Sequence, residues 1–106
     1  MLRQATDYET LKSQFRWEIP EKLNIGVAVC DVWAKAEPQR PALIEWTQRG
    51  LVTHTYEDLR RASNRLARAL ARQGVRPGER VALLLPQSPE TLIAHLAIYK
   101  IGAVAL

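Results

Sequence analysis

The stretch that decides the fold is residues 80–106, RVALLLPQSPETLIAHLAIYKIGAVAL. Residues 81–85 are all apolar, and Pro86 ends the run. A short, continuous apolar run of this kind is typical of a strand that is buried on both faces of a parallel sheet. The stretch therefore predicts an interior strand near its beginning.

A helix and the start of a second strand follow this run. Ser88 is a suitable N-cap, and Pro89 occupies the first helical position. The helical pattern continues to Ile101, where Gly102 is placed to end it, and residues 103–106 are apolar again. Strand, helix and strand predict one βαβ crossover, which is right-handed in nearly all proteins.

The clearest single element is a long amphipathic helix predicted over residues 56–73. Thr55 and Asp58 have the spacing of a capping box, with Asp in place of the usual Glu. Gly74 stands where a left-handed C-terminal cap is expected. At about 100° per residue one side of this helix is apolar, and its residues are Leu59, Ala62, Leu66, Ala69 and Leu70. The opposite side carries four arginines, which are Arg61, Arg65, Arg68 and Arg72.

Two shorter helices are predicted in the N-terminal third. Thr6 and Glu9 have capping-box spacing, and the first helix should end before Pro20. Its apolar face consists of Tyr8, Leu11 and Phe15. Asn24 is a good N-cap for the second helix. The apolar face of that helix consists of Ile25, Val29, Val32, Trp33 and Ala36.

A β-hairpin is predicted between the second and the long helix. Residues 42–46 and 51–55 are β-rich, and residues 47–50, TQRG, read as the turn. One hairpin and one crossover supply few of the layers and neighbouring strands that a strand apolar on both faces needs. We therefore expect an α/β fold that is the incomplete N-terminal part of a larger domain.

Length and composition indicate a single small globular unit. It has 106 residues with 47% hydrophobic and 25% charged residues, and its net charge is +4. Cys30 is the only cysteine, so no intramolecular disulfide forms, and we expect a reducing, cytoplasmic compartment. No run approaches the ~20 apolar residues that span a bilayer.

Several short segments, taken in order, resemble the N-terminal region of adenylate-forming enzymes. They are residues 55–59 (TYEDL), 64–75 (with Asn64, Ala67, Leu70, Gly74 and Val75), 77–83 (PGERVAL), 85–90 (LPQSPE) and 99–104 (YKIGAV). Glu79 departs from the aspartate that is commoner in the family. The leading segments FRWEIP (15–20), NIG (24–26) and CDVWA (30–34) resemble acyl-CoA synthetases of the acetyl and medium-chain type.

The resemblance implies a two-step reaction in the parent enzyme. A carboxylate attacks the α-phosphate of ATP and gives an acyl-adenylate, and the thiol of CoA then displaces AMP. Such enzymes use ATP, Mg²⁺ and CoA, and the substrate here would be a short- or medium-chain or aromatic carboxylic acid. The family's phosphate loop, Mg²⁺-binding pair, ribose-binding aspartate and catalytic lysine are absent from this sequence. We therefore assign no catalytic, cofactor-binding or metal-binding residue, and expect the fragment alone to be inactive and to bind no cofactor.

The same resemblance implies two parts of the chain and a set of expected partners. Residues 1–23 would be an N-terminal helical extension, and residues 24–106 the start of the AMP-binding domain. The expected partner is the remainder of the synthetase chain, and we also expect self-association through exposed apolar sheet. Two other interpretations stay open, a free-standing interaction module derived from this fold and a small basic nucleic-acid-binding domain.

Each residue that could have a functional role also has a structural explanation. The arginine side of the long helix is typical of a solvated face, because no aromatic residues alternate with it, and nucleic acid binding is therefore not favoured. His54, His95 and Cys30 do not have zinc-ligand spacing. Trp17, Trp33 and Trp46 are interpreted as packing residues rather than an acyl pocket. Glu57 and Asp58 are adjacent on a helix and face different directions, so capping accounts for them.

Overall fold

The computed structural model describes residues 7–18 and 20–106. Its elements are a helix α1 (Tyr8–Gln14), a π-helical segment (Val27–Asp31) that continues into α2 (Val32–Ala36), strands β1 (Pro41–Thr47) and β2 (Gly50–Thr55), helix α3 (Tyr56–Arg72), strand β3 (Arg80–Val81), helix α4 (Pro89–Lys100) and strand β4 (Val104–Ala105). Each predicted element is present, so the α/β pattern of helices, hairpin and one crossover is confirmed.

The first helix begins one residue later than the capping-box spacing predicts. Asp7 is the N-cap, and its side chain accepts a hydrogen bond of 2.9 Å from the backbone N–H of Thr10. The predicted cap Thr6, and Ile19 before the proline that should end the segment, lie outside the described residues. The helix ends at Gln14, and none of its residues is buried, so α1 adds nothing to the core.

The second predicted helix begins as expected but turns a different face inward. The Asn24 side chain accepts a hydrogen bond of 3.1 Å from the backbone N–H of Val27, as an N-cap does. The buried residues are small, Gly26, Cys30 and Ala34. The predicted apolar face is exposed instead, and its members are Ile25, Val29, Val32, Trp33 and Ala36.

The backbone at Gly26 lies close to that of α4, which explains why small residues, and not the predicted apolar face, are buried. A Cβ atom at Gly26 would lie 2.8 Å from the carbonyl oxygen of Leu96 and 2.7 Å from Cγ of Lys100. Only small residues fit between this segment and α4 at such distances. The π-helical segment begins directly after Gly26, and the α-helical period on which the prediction relied does not describe it.

The hairpin has the predicted strands and turn. β1 and β2 pair antiparallel, with Trp46 opposite Leu51 and Thr47 opposite Gly50. Gly50 has φ of +112°, a conformation that glycine adopts without strain. The Thr47 hydroxyl also donates a 2.8 Å hydrogen bond to the carbonyl oxygen of Gly50, which closes the turn.

Helix α3 has the predicted capping box and C-terminal glycine. The Thr55 hydroxyl accepts from the Asp58 backbone N–H at 3.2 Å, and the Asp58 carboxylate accepts from the Thr55 backbone N–H at 3.0 Å. Gly74, with φ of +96°, follows the last turn. The buried residues of α3 are Leu59, Ser63 and Ala67. Ser63 and Ala67 were not part of the predicted apolar side, and Ala69, which was, is exposed.

The crossover pairs β3 with β4 in parallel over a short length. Arg80 lies opposite Val104 and Val81 opposite Ala105. One more backbone hydrogen bond, 2.8 Å from the N–H of Leu83 to the carbonyl oxygen of Leu106, extends the ladder. The predicted strand over 81–85 is thus assigned only at Arg80–Val81, because no strand among the described residues lies beside 84–85.

The core lies where α3, α4 and the π-helical segment meet. Cys30, Leu59 and Leu96 form its buried cluster, with Ala42, Leu92 and Ile93 packed against them. Ile98 is fully buried, whereas Leu84 is fully exposed. No helix in the described part of the chain is long and apolar enough to cross a bilayer.

Replacing Leu84 with asparagine tests the exposed end of the predicted strand. Because Leu84 is 100% exposed, we expect Leu84→Asn to change the free energy of unfolding by less than about 0.5 kcal/mol and to reduce self-association of the 106-residue chain. Thermal unfolding and sedimentation velocity measure the two effects. Leu96→Ala, in the core, should cost about 2–4 kcal/mol. Equal destabilisation by both changes, or unchanged association, would contradict this assignment.

Candidate functional site

A buried lysine is the most constrained polar group of the described chain. Lys100 is the last residue of α4, and its side chain is only 6% exposed. Its ammonium donates hydrogen bonds to Oδ1 of Asp31 at 2.5 Å, to Oγ of Ser63 at 2.8 Å and to Oδ1 of Asn64 at 2.9 Å. The three donors of the ammonium therefore have three acceptors.

The acceptors are themselves held in place. Ser63 donates a 2.6 Å hydrogen bond to the carbonyl oxygen of Leu59, one turn back along α3. The Asn24 side-chain amide donates to the carbonyl oxygen of Lys100 at 3.0 Å, which ties the end of α4 to the start of the π-helical segment. We call Lys100, Asp31, Ser63, Asn64 and Asn24 the lysine network.

The lysine network is suited to holding elements together rather than to catalysis. Its ammonium has no free donor for a substrate, and the Ser63 hydroxyl donates to the backbone instead of facing a base. No buried side-chain nitrogen or oxygen of the described residues lacks a hydrogen-bond partner. The network joins three elements that are 36 to 76 residues apart in sequence.

Lys100 lies within the family-like segment 99–104, and sequence patterns did not predict its role. Its partners on α3 and in the π-helical segment are distant in sequence, so no spacing rule connects them. The available signal was a lysine at the end of an otherwise apolar helix, together with Ser63 on the apolar side of α3.

Cys30, His54 and His95, for which the sequence already favoured structural roles, each have a different hydrogen-bond partner. Cys30 is 1% exposed within the core, and burial raises the pKa of its thiol, an effect that Lys100 partly opposes. A buried, protonated thiol is a poor nucleophile. His54 Nε2 lies 3.4 Å from Glu45, and His95 Nδ1 lies 2.8 Å from the carbonyl oxygen of Thr91. The described residues contain no group of three potential metal ligands.

The three tryptophans also lie apart. Trp17 contacts Phe15 edge-on at 5.0 Å between ring centroids. Trp33 stacks on Tyr56 at 6.1 Å, with the guanidinium of Arg40 4.5 Å from its ring. Trp46 is 81% exposed on the hairpin and lines an open groove of about 650 Å³ between the hairpin and the start of α4. Each tryptophan thus has different neighbours.

The arginine side of α3 borders a second open groove, of about 620 Å³. Glu57 pairs with two of the helix's arginines, Arg60 Nε at 2.7 Å and Arg61 Nε at 2.6 Å. Hydrogen bonds from Arg60 and then Arg61 lower the pKa of Glu57 to about 2. The hydrogen bonds from Thr55 hold the pKa of Asp58 below its usual value, as expected for a capping carboxylate. Capping thus accounts for Asp58, whereas Glu57 neutralises arginines.

A protein-family model described as "AMP-binding enzyme" matches residues 30–106, which is more than half of the chain. The chain belongs to this family. Family membership agrees with the parallel crossover and the preceding helices, and it confirms the resemblance to adenylate-forming enzymes.

Relatives in this family include acetyl-coenzyme A synthetases. Acetyl-coenzyme A synthetase 1 of Candida albicans is 38% identical over 90 residues, which cover 82% of this chain and 13% of that protein. The human protein acetyl-coenzyme A synthetase 2-like, mitochondrial, is 40% identical over 90 residues, which cover 83% of this chain and 13% of that protein. The chain thus spans about an eighth of the length of these relatives.

Solved structures of this family have the same arrangement of elements. An acyl-CoA synthetase from Brucella canis superposes with a TM-score of 0.71 at 34% identity, over 78% of this chain and 15% of that one. A fatty acyl-adenylate ligase from L. pneumophila, solved with acyl adenylate and pyrophosphate, superposes with a TM-score of 0.72 at 26% identity, over 79% of this chain and 15% of that one. The fold is that of the matching segment in adenylate-forming enzymes.

Removing the buried ammonium tests the lysine network. Lys100→Met leaves Asp31 without its ion pair and Ser63 without its donor, so we expect a loss of about 2–3 kcal/mol in the free energy of unfolding. Urea denaturation measures it. Lys35→Met, which removes an exposed lysine of α2, should change stability by less than about 0.5 kcal/mol. Equal effects of the two changes would show that the network is not stabilising.

The depressed pKa of Glu57 predicts an acid-dependent loss of stability. Its pKa falls from 4.5 to about 2, so the stabilisation by Arg60 and Arg61 is present above pH 4.5 and is lost as pH falls toward 2. We expect Glu57→Gln to be less stable than the unmodified protein at pH 6, with the gap narrowing at pH 2.5. Urea midpoints at the two pH values test this. A constant gap, or the same behaviour in the exposed-site control Glu18→Gln, would contradict it.

Proposed function

We propose that this chain forms the N-terminal part of the large domain of an ATP-dependent acyl-CoA synthetase, and that it supplies structure rather than catalytic groups. The family match over residues 30–106 carries the proposal. The acetyl-coenzyme A synthetases among the relatives support the acyl-CoA class, because the segment aligns at 34–40% identity with them.

The reaction proposed for the whole protein has two steps. A carboxylate oxygen attacks the α-phosphorus of ATP, which forms an acyl-adenylate and releases pyrophosphate. The CoA sulfur then attacks the acyl carbon, forms the thioester and releases AMP. We propose a short- or medium-chain or aromatic carboxylic acid as the substrate, and a cytoplasmic location.

In this proposal the groups that bind ATP, Mg²⁺ and CoA belong to the remainder of the synthetase. The five glycines of the sequence, at 26, 50, 74, 78 and 102, are isolated, so no glycine-rich loop leads into a helix to hold phosphates. No described cluster of acidic or imidazole side chains is suited to a metal ion. We therefore derive no catalytic step from this chain.

Its proposed contribution is a helical layer behind a sheet. The lysine network fixes α4 against α3 and the π-helical segment, and α4 in turn connects the parallel strands β3 and β4. Leu84 and Leu85 are exposed on the segment that follows β3, where neighbouring strands of the remainder of the synthetase would cover them. In this proposal residues 24–106 begin the AMP-binding domain, and residues 1–23 are an extension preceding it.

The assay that tests this proposal is acid-dependent exchange of pyrophosphate into ATP. We expect no exchange from the 106-residue chain, because the proposal assigns the phosphate-binding and metal-binding groups to the remainder of the synthetase. We expect exchange from a chimera in which residues 30–106 replace the matching segment of the Brucella canis acyl-CoA synthetase, with that unmodified enzyme as the control. Exchange by the chain alone would overturn the structural role, and a folded but inactive chimera would overturn the assignment to this class.

A further inference from the structure

The basic charge of the chain is concentrated on one helix. Helix α3 has five arginines and two carboxylates, a net charge of +3 within a chain whose net charge is +4. Glu57 forms ion pairs with Arg60 and Arg61, and Asp58 is engaged with Thr55 in the capping box. Both carboxylates of α3 therefore have partners at the N-terminal end of the helix or at its cap.

The remaining three arginines have no ionic partner among the described residues. Arg65, Arg68 and Arg72 are exposed, and no carboxylate lies within ion-pair distance of any of them in that part of the chain. At about 100° and 1.5 Å per residue, they and Arg61 lie within an arc of about 60° and span about 16 Å of the helix. We call Arg61, Arg65, Arg68 and Arg72 the arginine row.

A groove runs beside the arginine row. It is about 620 Å³ in volume, and its lining includes Arg61, Arg65 and Arg68 of α3, His54 of β2 and Ile93 of α4. No Phe, Tyr or Trp lines it. A straight, positively charged row beside an open groove is suited to a linear anionic partner rather than to a small compact ion.

We propose that the arginine row docks an acidic segment of a partner protein. The guanidinium fork binds carboxylates in a bidentate manner. Arginines three or four residues apart on a helix have Cβ atoms roughly 5–6 Å apart, and acidic residues on successive turns of a partner helix have the same spacing. Charge complementarity therefore favours Asp- or Glu-rich polypeptide. Single-stranded nucleic acid is disfavoured, because its bases find no aromatic ring in the groove to stack on.

Binding of a labelled ten-residue polyglutamate peptide to the intact protein tests the proposal. We expect binding that weakens as salt is raised, and a loss of about tenfold in affinity for the triple variant R65Q/R68Q/R72Q. Glutamine keeps the helix propensity close to that of arginine, so circular dichroism should show α3 intact. A polyglutamine peptide is the uncharged control.

A matched variant distinguishes the effect of the arginine row on binding from the effect of net charge. R16Q/R49Q/R76Q removes three exposed arginines from scattered positions outside α3 and should bind polyglutamate as the unmodified protein does. Equal losses for the two triple variants would overturn the proposal, since net charge alone would then account for binding. Tighter binding of a single-stranded oligonucleotide or of anionic phospholipid vesicles than of polyglutamate at equal salt would overturn it in favour of those partners, and absence of polyglutamate binding at low salt would overturn it outright.

Discussion

The described structure depends on one buried positive charge. An ammonium that is almost completely removed from water is costly unless each of its protons is accepted. Lys100 meets this condition with one carboxylate, one hydroxyl and one amide oxygen, each from a different residue. Because these acceptors belong to the π-helical segment and α3, the charge is satisfied only when both approach the end of α4.

The sizes of the neighbouring residues follow from the same requirement. Gly26, which directly precedes the π-helical segment, lies so close to α4 that a methyl group there would contact the backbone of Leu96. Small side chains, Cys30 and Ala34, are therefore buried, and larger apolar ones such as Ile25 and Val29 are exposed. The close approach to α4, rather than burial of the largest side chains, accounts for which face of this segment is inside.

Sequence patterns predicted the elements well and the contacts between them poorly. The capping box of α3, the hairpin turn at Gly50 and the crossover all depend on residues close in sequence, and each is present. The predicted inward face of the second helix was wrong, because the orientation of that helix depends on Lys100, about 70 residues away. The lysine network was missed for the same reason. For Cys30, His54 and His95 the sequence spacing already disfavoured a zinc site, and in the structure each has a different hydrogen-bond partner.

The exposed leucines beside β3 have a consequence for how folding of this chain is monitored. Dyes that fluoresce in apolar surroundings bind exposed hydrophobic surface, which is the usual sign of a partly folded state. Leu84 is 100% exposed and Leu85 is 47% exposed, so the folded chain itself presents such surface. Dye binding alone therefore does not distinguish the folded chain from a loosely packed state, whereas near-ultraviolet circular dichroism, which reports fixed side-chain packing, does.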